Sequence, residues 1–174
     1  KGDLINNFQI SFDKTFKIFN FKIKSSGNLN ASNLILKDQI KLPILKKPIK
    51  KLSLDKSNVS LEYNLNAKKT FTANGQYKIN DDKFQNFVID SNFTKEKTNL
   101  IIDFDLSQSV FFDLINFTSD TEKSSKMSAK LTLSNDMIYL DKLNFSQGKN
   151  NILVENLKLK DNKFKSLKVI KVKT

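Results

Sequence analysis

Val59-Ser60-Leu61-Glu62-Tyr63-Asn64-Leu65 alternates strictly between apolar and polar side chains. Successive side chains of a strand point to opposite faces, so this run carries one oily face and one wet face. The pattern returns at Leu100-Ile101-Ile102-Asp103-Phe104-Asp105-Leu106, with Ile101 as the one exception, and at Met127-Ser128-Ala129-Lys130-Leu131-Thr132-Leu133. Between the first two, Phe71, Ala73, Gly75, Tyr77 and Ile79 keep one parity, and Phe87, Ile89, Ser91 and Phe93 form the return. Asn80-Asp81-Asp82-Lys83 separates them with turn chemistry. Further strands are expected over Met137–Phe145, Asn151–Lys160 and Lys163–Val172, divided at Gln147-Gly148-Lys149-Asn150 and Asp161-Asn162. Successive strands joined by short turns predict an antiparallel meander.

Toward the N-terminus the pattern is less regular. Phe8, Ile10 and Phe12 share a face, and Phe16 and Ile18 continue that parity. Phe19, Phe21 and Ile23 then shift by one residue, which reads as a β-bulge or a bend between strands. Ser25-Ser26-Gly27-Asn28 reads as a turn, and Leu29–Lys37 as a strand. Pro43 and Pro48 remove ladder donors and mark Asp38–Lys51 as a connection or an edge segment. Its lysines suit a solvated loop or a basic rim that meets anionic headgroups. Val110, Phe111, Leu114, Ile115 and Phe117 recur at helical spacing, so one short amphipathic helix is predicted near 108–117. The fold expectation is mainly all-β: a long antiparallel meander over one β-rich domain, residues 1–174. Opening strands and the Pro-containing connection occupy 1–51, and the regular meander occupies 52–174.

Composition excludes several chemistries. With neither His nor Cys among 174 residues, disulfides, thiolate nucleophiles, His-dependent triads and His- or Cys-ligated zinc are ruled out. Asp81-Asp82, Asp103 with Asp105, and Asp120 with Glu122 are the carboxylate groupings, placed on a turn, a wet strand face and a polar loop. None has the contrasting environments that split pKa values for acid–base work. The glycines are isolated, so no phosphate loop exists. Asn-x-Ser/Thr patterns, such as Asn92-Phe93-Thr94, matter only in a eukaryotic secretory pathway. No catalytic residue, metal ligand or cofactor is assigned.

The net charge of +12 invites a nucleic-acid reading. Every basic residue is Lys, however, and Arg is the side chain that forks onto phosphates and guanine edges. Abundant Lys, Asn, Ile and Phe also fit an AT-rich coding sequence, so no specific nucleic-acid partner is expected. No run approaches the ~20 apolar residues of a membrane span. The chain opens on Lys1 rather than Met, and is expected to be a segment of a longer protein.

The candidate site is therefore the oily face. Its lining is Val59, Leu61, Tyr63, Leu65, Phe71, Tyr77, Ile79, Phe87, Ile89, Phe93, Leu100, Ile102, Phe104, Leu106, Leu131 and Leu133. Such a face either lines an open groove or is a core closed by a second layer. Asn156-Leu157-Lys158-Leu159-Lys160-Asp161 echoes Asn33-Leu34-Ile35-Leu36-Lys37-Asp38, through a structural repeat or through shared strand grammar.

One resemblance bears on that choice. Gly27-Asn28-Leu29-Asn30-Ala31-Ser32-Asn33-Leu34-Ile35-Leu36, the Pro43 and Pro48 step before Ile49-Lys50-Lys51-Leu52-Ser53-Leu54, then Ala67–Ile79, Leu143-Asn144-Phe145 and Asn151–Leu159 form a recognisable order. It resembles the AsmA-like family of Gram-negative envelope proteins, of the AsmA, TamB and YhdP type, over residues 27–174. The likeness is one of pattern and contains no diagnostic motif. It implies a sheet curled into an oily groove and phospholipid acyl chains as ligand. It further implies phospholipid transport between inner and outer membranes. The location would be the periplasm, with an inner-membrane tether outside this segment and the remainder of the parent protein as partner.

Overall fold

The computed structural model describes every residue except Lys1, Ala31, Pro43, Asn66, Lys68, Asn135, Asn162 and Thr174, and describes Leu114 by its backbone alone. Pro43 of the expected connection, Ala31 of the family-like stretch and the turn residue Asn162 thus lie outside the described residues.

The protein is all-β, with one twelve-stranded antiparallel sheet that does not close on itself. The strands are β1 (Gly2–Phe12), β2 (Ile18–Leu29), β3 (Ser32–Ile40), β4 (Ile49–Asn64), β5 (Lys69–Ile79), β6 (Gln85–Phe93) and β7 (Lys97–Leu106). A small two-stranded sheet, β8 (Phe111–Phe112) and β9 (Phe117–Thr118), interrupts the series. β10 (Ser125–Ser134), β11 (Met137–Gln147), β12 (Asn150–Lys160), β13 (Lys163–Ser166) and β14 (Val169–Lys173) complete it. The spatial order is β1-β2-β4-β5-β6-β7-β10-β11-β12-β13, so the main sheet is a meander.

The two strands off that path continue it. β2 and β3 pair in turn with the two halves of β4, from Lys22↔Asn64 to Ile35↔Lys51. β13 and β14 pair in turn with the two halves of β12, from Lys163↔Lys160 to Lys173↔Asn151. Opposite each break a residue has positive φ: Lys56 at 45° and Asn156 at 57°. Left-handed backbone inserts an extra residue and bends the strand without ending it.

Gly75 shows what the first bend demands. Its φ is 149°, and an added Cβ would run into the backbone of Lys56 and Ser57 on the neighbouring strand. Glycine alone fits that approach. Ser57 is fully buried there and donates its hydroxyl to the Asp55 carbonyl at 2.9 Å.

Two local expectations are corrected. Ser25-Ser26-Gly27-Asn28 is not a turn but the interior of β2, where Gly27 pairs with Leu4 and Val59. Its missing side chain admits the β1 backbone, since a Cβ would strike the Asp3 carbonyl. The reversal lies instead at 13–17. There the Asp13 carboxylate accepts from the Thr15 backbone amide at 2.7 Å and from the Lys17 amide at 3.0 Å, and Phe16 takes φ 59°. Those bonds hold the Asp13 carboxyl below its ordinary value, the Thr15 hydroxyl contributing most. The one-residue slip at Phe19 is present as a register shift between β1 and β2.

The helix near 108–117 is absent. In its place β8, a 3-10 turn over Asp113–Ile115 and β9 form a small hairpin. Phe, Ile and Val are disfavoured in a helix this short. Asn116 takes the left-handed conformation, φ 48°, and ends the turn after one step. Ser119 then clamps the ends, accepting from the Val110 amide at 2.8 Å and donating its own amide to the Val110 carbonyl at 2.9 Å.

Candidate functional site

The cross-strand register assembles the oily face residue by residue. Side chains directly opposite in paired strands lie on the same face. One row runs Val59↔Ala73↔Ile89↔Ile102↔Ala129↔Leu143↔Val154↔Ile170 across eight strands. A second runs Leu61↔Phe71↔Ser91↔Leu100↔Leu131↔Leu140↔Leu157. A third runs Gly75↔Phe87↔Phe104↔Met127↔Phe145↔Ile152↔Val172. The strip continues across β2 and β1 through Ile23↔Tyr63, Phe8↔Ile23 and Ile10↔Phe21. Fifteen of the sixteen expected lining residues sit on strands and share this face; Leu65 lies in the turn after β4, 38% exposed.

The register also adds residues that the expected lining left out. Leu52, Leu54, Ala73, Met127, Ala129, Leu143, Phe145, Ile152 and Val154 belong to the same strip. Their own alternation was visible, but membership of one face depends on pairing register. β11 slips by one residue at Asp141, between Lys130↔Lys142 and Leu131↔Leu140, and its apolar parity changes there.

The strip differs at its two ends. At one end the long connections fold over it. The 41–48 segment and the 107–124 segment meet through a Leu45↔Val110 bridge and through the Phe111 amide donating to the Ile44 carbonyl at 2.9 Å. Val110 of the second segment is buried together with Leu106, Phe145 and Ile152 of the sheet. The rings of Phe112 and Phe117 stand edge-on to Phe145 at 5.3 and 5.7 Å. Gln147, also buried, fastens the covering loop, accepting from the Asp120 amide at 2.8 Å and donating to the Asp120 and Lys123 carbonyls at 2.7 and 3.1 Å. No sequence motif marked it; a lone glutamine inside an apolar strand end was its only signal.

An apolar cavity of about 240 Å³ opens under this cover, lined by Leu42, Ile44, Leu45, Ile49, Leu52, Tyr77, Ile79, Phe104, Leu106 and Met127, with Lys83, Ser107 and Gln108 also on its wall. The Tyr77 ring crosses Phe104 at 5.2 Å and Phe87 at 6.1 Å. Its hydroxyl donates to the Asp105 carbonyl at 2.8 Å. Burial, with the negative charges of Asp105 and Asp82, pushes its phenol well above the ordinary value. Asn80 ties the β5–β6 turn to the same corner, accepting from the Lys50 amide at 2.9 Å and donating to the Pro48 carbonyl at 3.1 Å.

At the other end, among the described residues, short turns meet the strip. Leu133 is 37% exposed, and Phe164 on the flanking β13 is 60% exposed. Toward the β1 edge Leu4, Phe8, Ile10 and Phe12 are all exposed. The opposite face of the sheet carries Val88 and Ile101 among mainly polar side chains; there Thr132, Asn99 and Asn92 form a hydrogen-bonded ladder with steps of 3.0 and 2.9 Å. Asp103 and Asp105 are on that polar face, where Asp105 accepts from Asn86 at 2.9 Å. Among the described residues no cluster of three potential metal ligands occurs, and no helix is long and apolar enough to cross a membrane.

No protein-family model, curated protein or solved structure matches this chain.

Proposed function

We propose that the chain is a lipid-shielding segment of a periplasmic, AsmA-like envelope protein, its sheet curling into a groove whose apolar strip holds phospholipid acyl chains in transit between inner and outer membranes. In this reading the ligand is bound through its tails, the parent protein supplies the inner-membrane tether, and no reaction is catalysed. The observation that supports it is continuity. Apolar side chains face each other from β4 to β14 without a charged residue in the central row. Transfer of methylenes onto such a surface contributes about 25 cal/mol per Å² and needs no specific polar recognition.

Native mass spectrometry after gentle detergent extraction tests the proposal. Wild-type protein is expected to carry phospholipid, and Ile102→Asp, a charge placed mid-strip between Ile89 and Ala129, is expected to strip it. A lipid-free wild type, or an Ile102→Asp variant that keeps its lipid, would overturn the reading. The alternative is a non-catalytic structural or adhesive β-domain whose apolar face is a closed core. The buried cluster that the covering connections close over Phe145 and Ile152 favours it at that end, and it requires the lipid-free outcome.

A further inference from the structure

One side chain on the oily strip is a cation. Lys69 opens β5 directly opposite Phe93 and shares the parity of Phe71 and Ala73, so it lies on the apolar face at the open end. It is only 7% exposed. Its ammonium stands 4.5 Å from the centre of the Tyr63 ring, and Tyr63 in turn packs on Phe21 at 6.3 Å. Glu62, the carboxylate next to Tyr63, pairs with Thr70 and so belongs to the polar face. Among the described residues no carboxylate forms an ion pair with Lys69. An ammonium drawn onto an aromatic face is compensated only in part.

We infer that Lys69 is the head-group site of the strip, and that the strip takes an anionic amphiphile with its charge on the Lys69 ammonium and an acyl tail running along β5 toward the covered cavity. The complement of this surface must carry an anion and an adjoining apolar body, because the groups beyond Lys69 are Phe71, Ala73 and Ile89. Eight residues separate Lys69 from Tyr77, about 26 Å at the usual strand rise. A chain the depth of one bilayer leaflet, about 15 Å or half of a ~30 Å hydrocarbon core, lies within that span. Such a ligand enters head-outward at the open end, and its tail ends short of the cover over Leu106 and Val110. The inference rests on the acyl-chain reading above and assigns it a polarity.

Calorimetric titration of the whole chain with oleate and with oleyl alcohol, the same tail without charge, tests it. Wild type is expected to prefer oleate about tenfold or more, the usual weight of a charge-assisted contact. Lys69→Met should abolish that preference while leaving oleyl alcohol binding within about twofold, which also shows that the variant is folded; Lys69→Arg should retain it. Acetate at equal concentration should leave bound oleate in place. A Lys69→Met variant that still prefers oleate, a wild type that binds both equally, or displacement by acetate overturns the head-group site and leaves the acyl-chain reading standing. Failure of both oleate and oleyl alcohol to bind wild type overturns the two together.

Discussion

The two ends of the oily strip are built from the same strands and the same side-chain types, yet one is a core and the other a surface. Connection length makes the difference. Around Phe145 and Ile152 the chain leaves β3 and β7 through long segments that fold back, and they bring Ile44, Leu45, Val110, Phe112 and Phe117 onto the strip. Around Leu133 and Phe93 it leaves β6 and β10 through connections of two or three residues. Stability should therefore concentrate where the long connections are, and ligand access where they are not.

The largest contrast that could break this comparison is between two truncations. Phe145→Ala, at a fully buried ring held by two others, should cost about 3–5 kcal/mol. Leu133→Ala, on the same face but 37% exposed, should cost less than about 1.5 kcal/mol. Urea unfolding with a common slope measures both, and equal costs would show that the ends do not differ.

A smaller contrast sharpens where the sheet is rigid. Gly75→Ala meets both strain and the backbone of Ser57, and is expected to cost about 2–3 kcal/mol. Gly148→Ala sits in an exposed turn with φ 58° and open space where its Cβ would go. It should cost about 1 kcal/mol, the price of left-handed backbone alone. Thermal melts of the two variants separate the clash from the strain.

The smallest effect concerns Tyr77. Its phenol is raised above the unfolded value of about 10, so the neutral form is favoured in the folded state. That stabilisation is complete below pH ~10 and is lost as pH rises above it. Tyr77→Phe should cost about 1 kcal/mol at neutral pH for the lost bond to the Asp105 carbonyl, and should flatten the decline above pH ~10. Denaturant midpoints across an alkaline series read both, and an unchanged decline in the variant would assign it to other groups.

The strands were legible because alternation is a local property, and one wet face against one oily face leaves little room for error within a run. Val59–Leu65, Leu100–Leu106 and Met127–Leu133 needed no tertiary information. The helical spacing of Val110, Phe111, Ile115 and Phe117 misled because periodicity in so short a window does not separate a helix from apolar residues brought together by a hairpin. What decides is the Ser119 clamp on Val110, a contact nine residues away. Gly27 misled in the same way: glycine signals a turn or a close approach, and only the position of β1 tells which. Lys69 was hidden because a lysine beginning a strand looks solvated until the neighbouring strand places Tyr63 beneath it.

The meander order has a consequence for how such a surface changes size. Each strand of the main sheet pairs only with its immediate neighbours, so its stability is close to a sum of nearest-neighbour terms. Duplicating one hairpin would add two strands and widen the sheet by about 10 Å, while every existing pair kept its register and both faces kept their character. Insertion of a single strand would instead reverse the chain direction of everything after it. Growth by twos is thus the change in width that this meander accepts without altering either face.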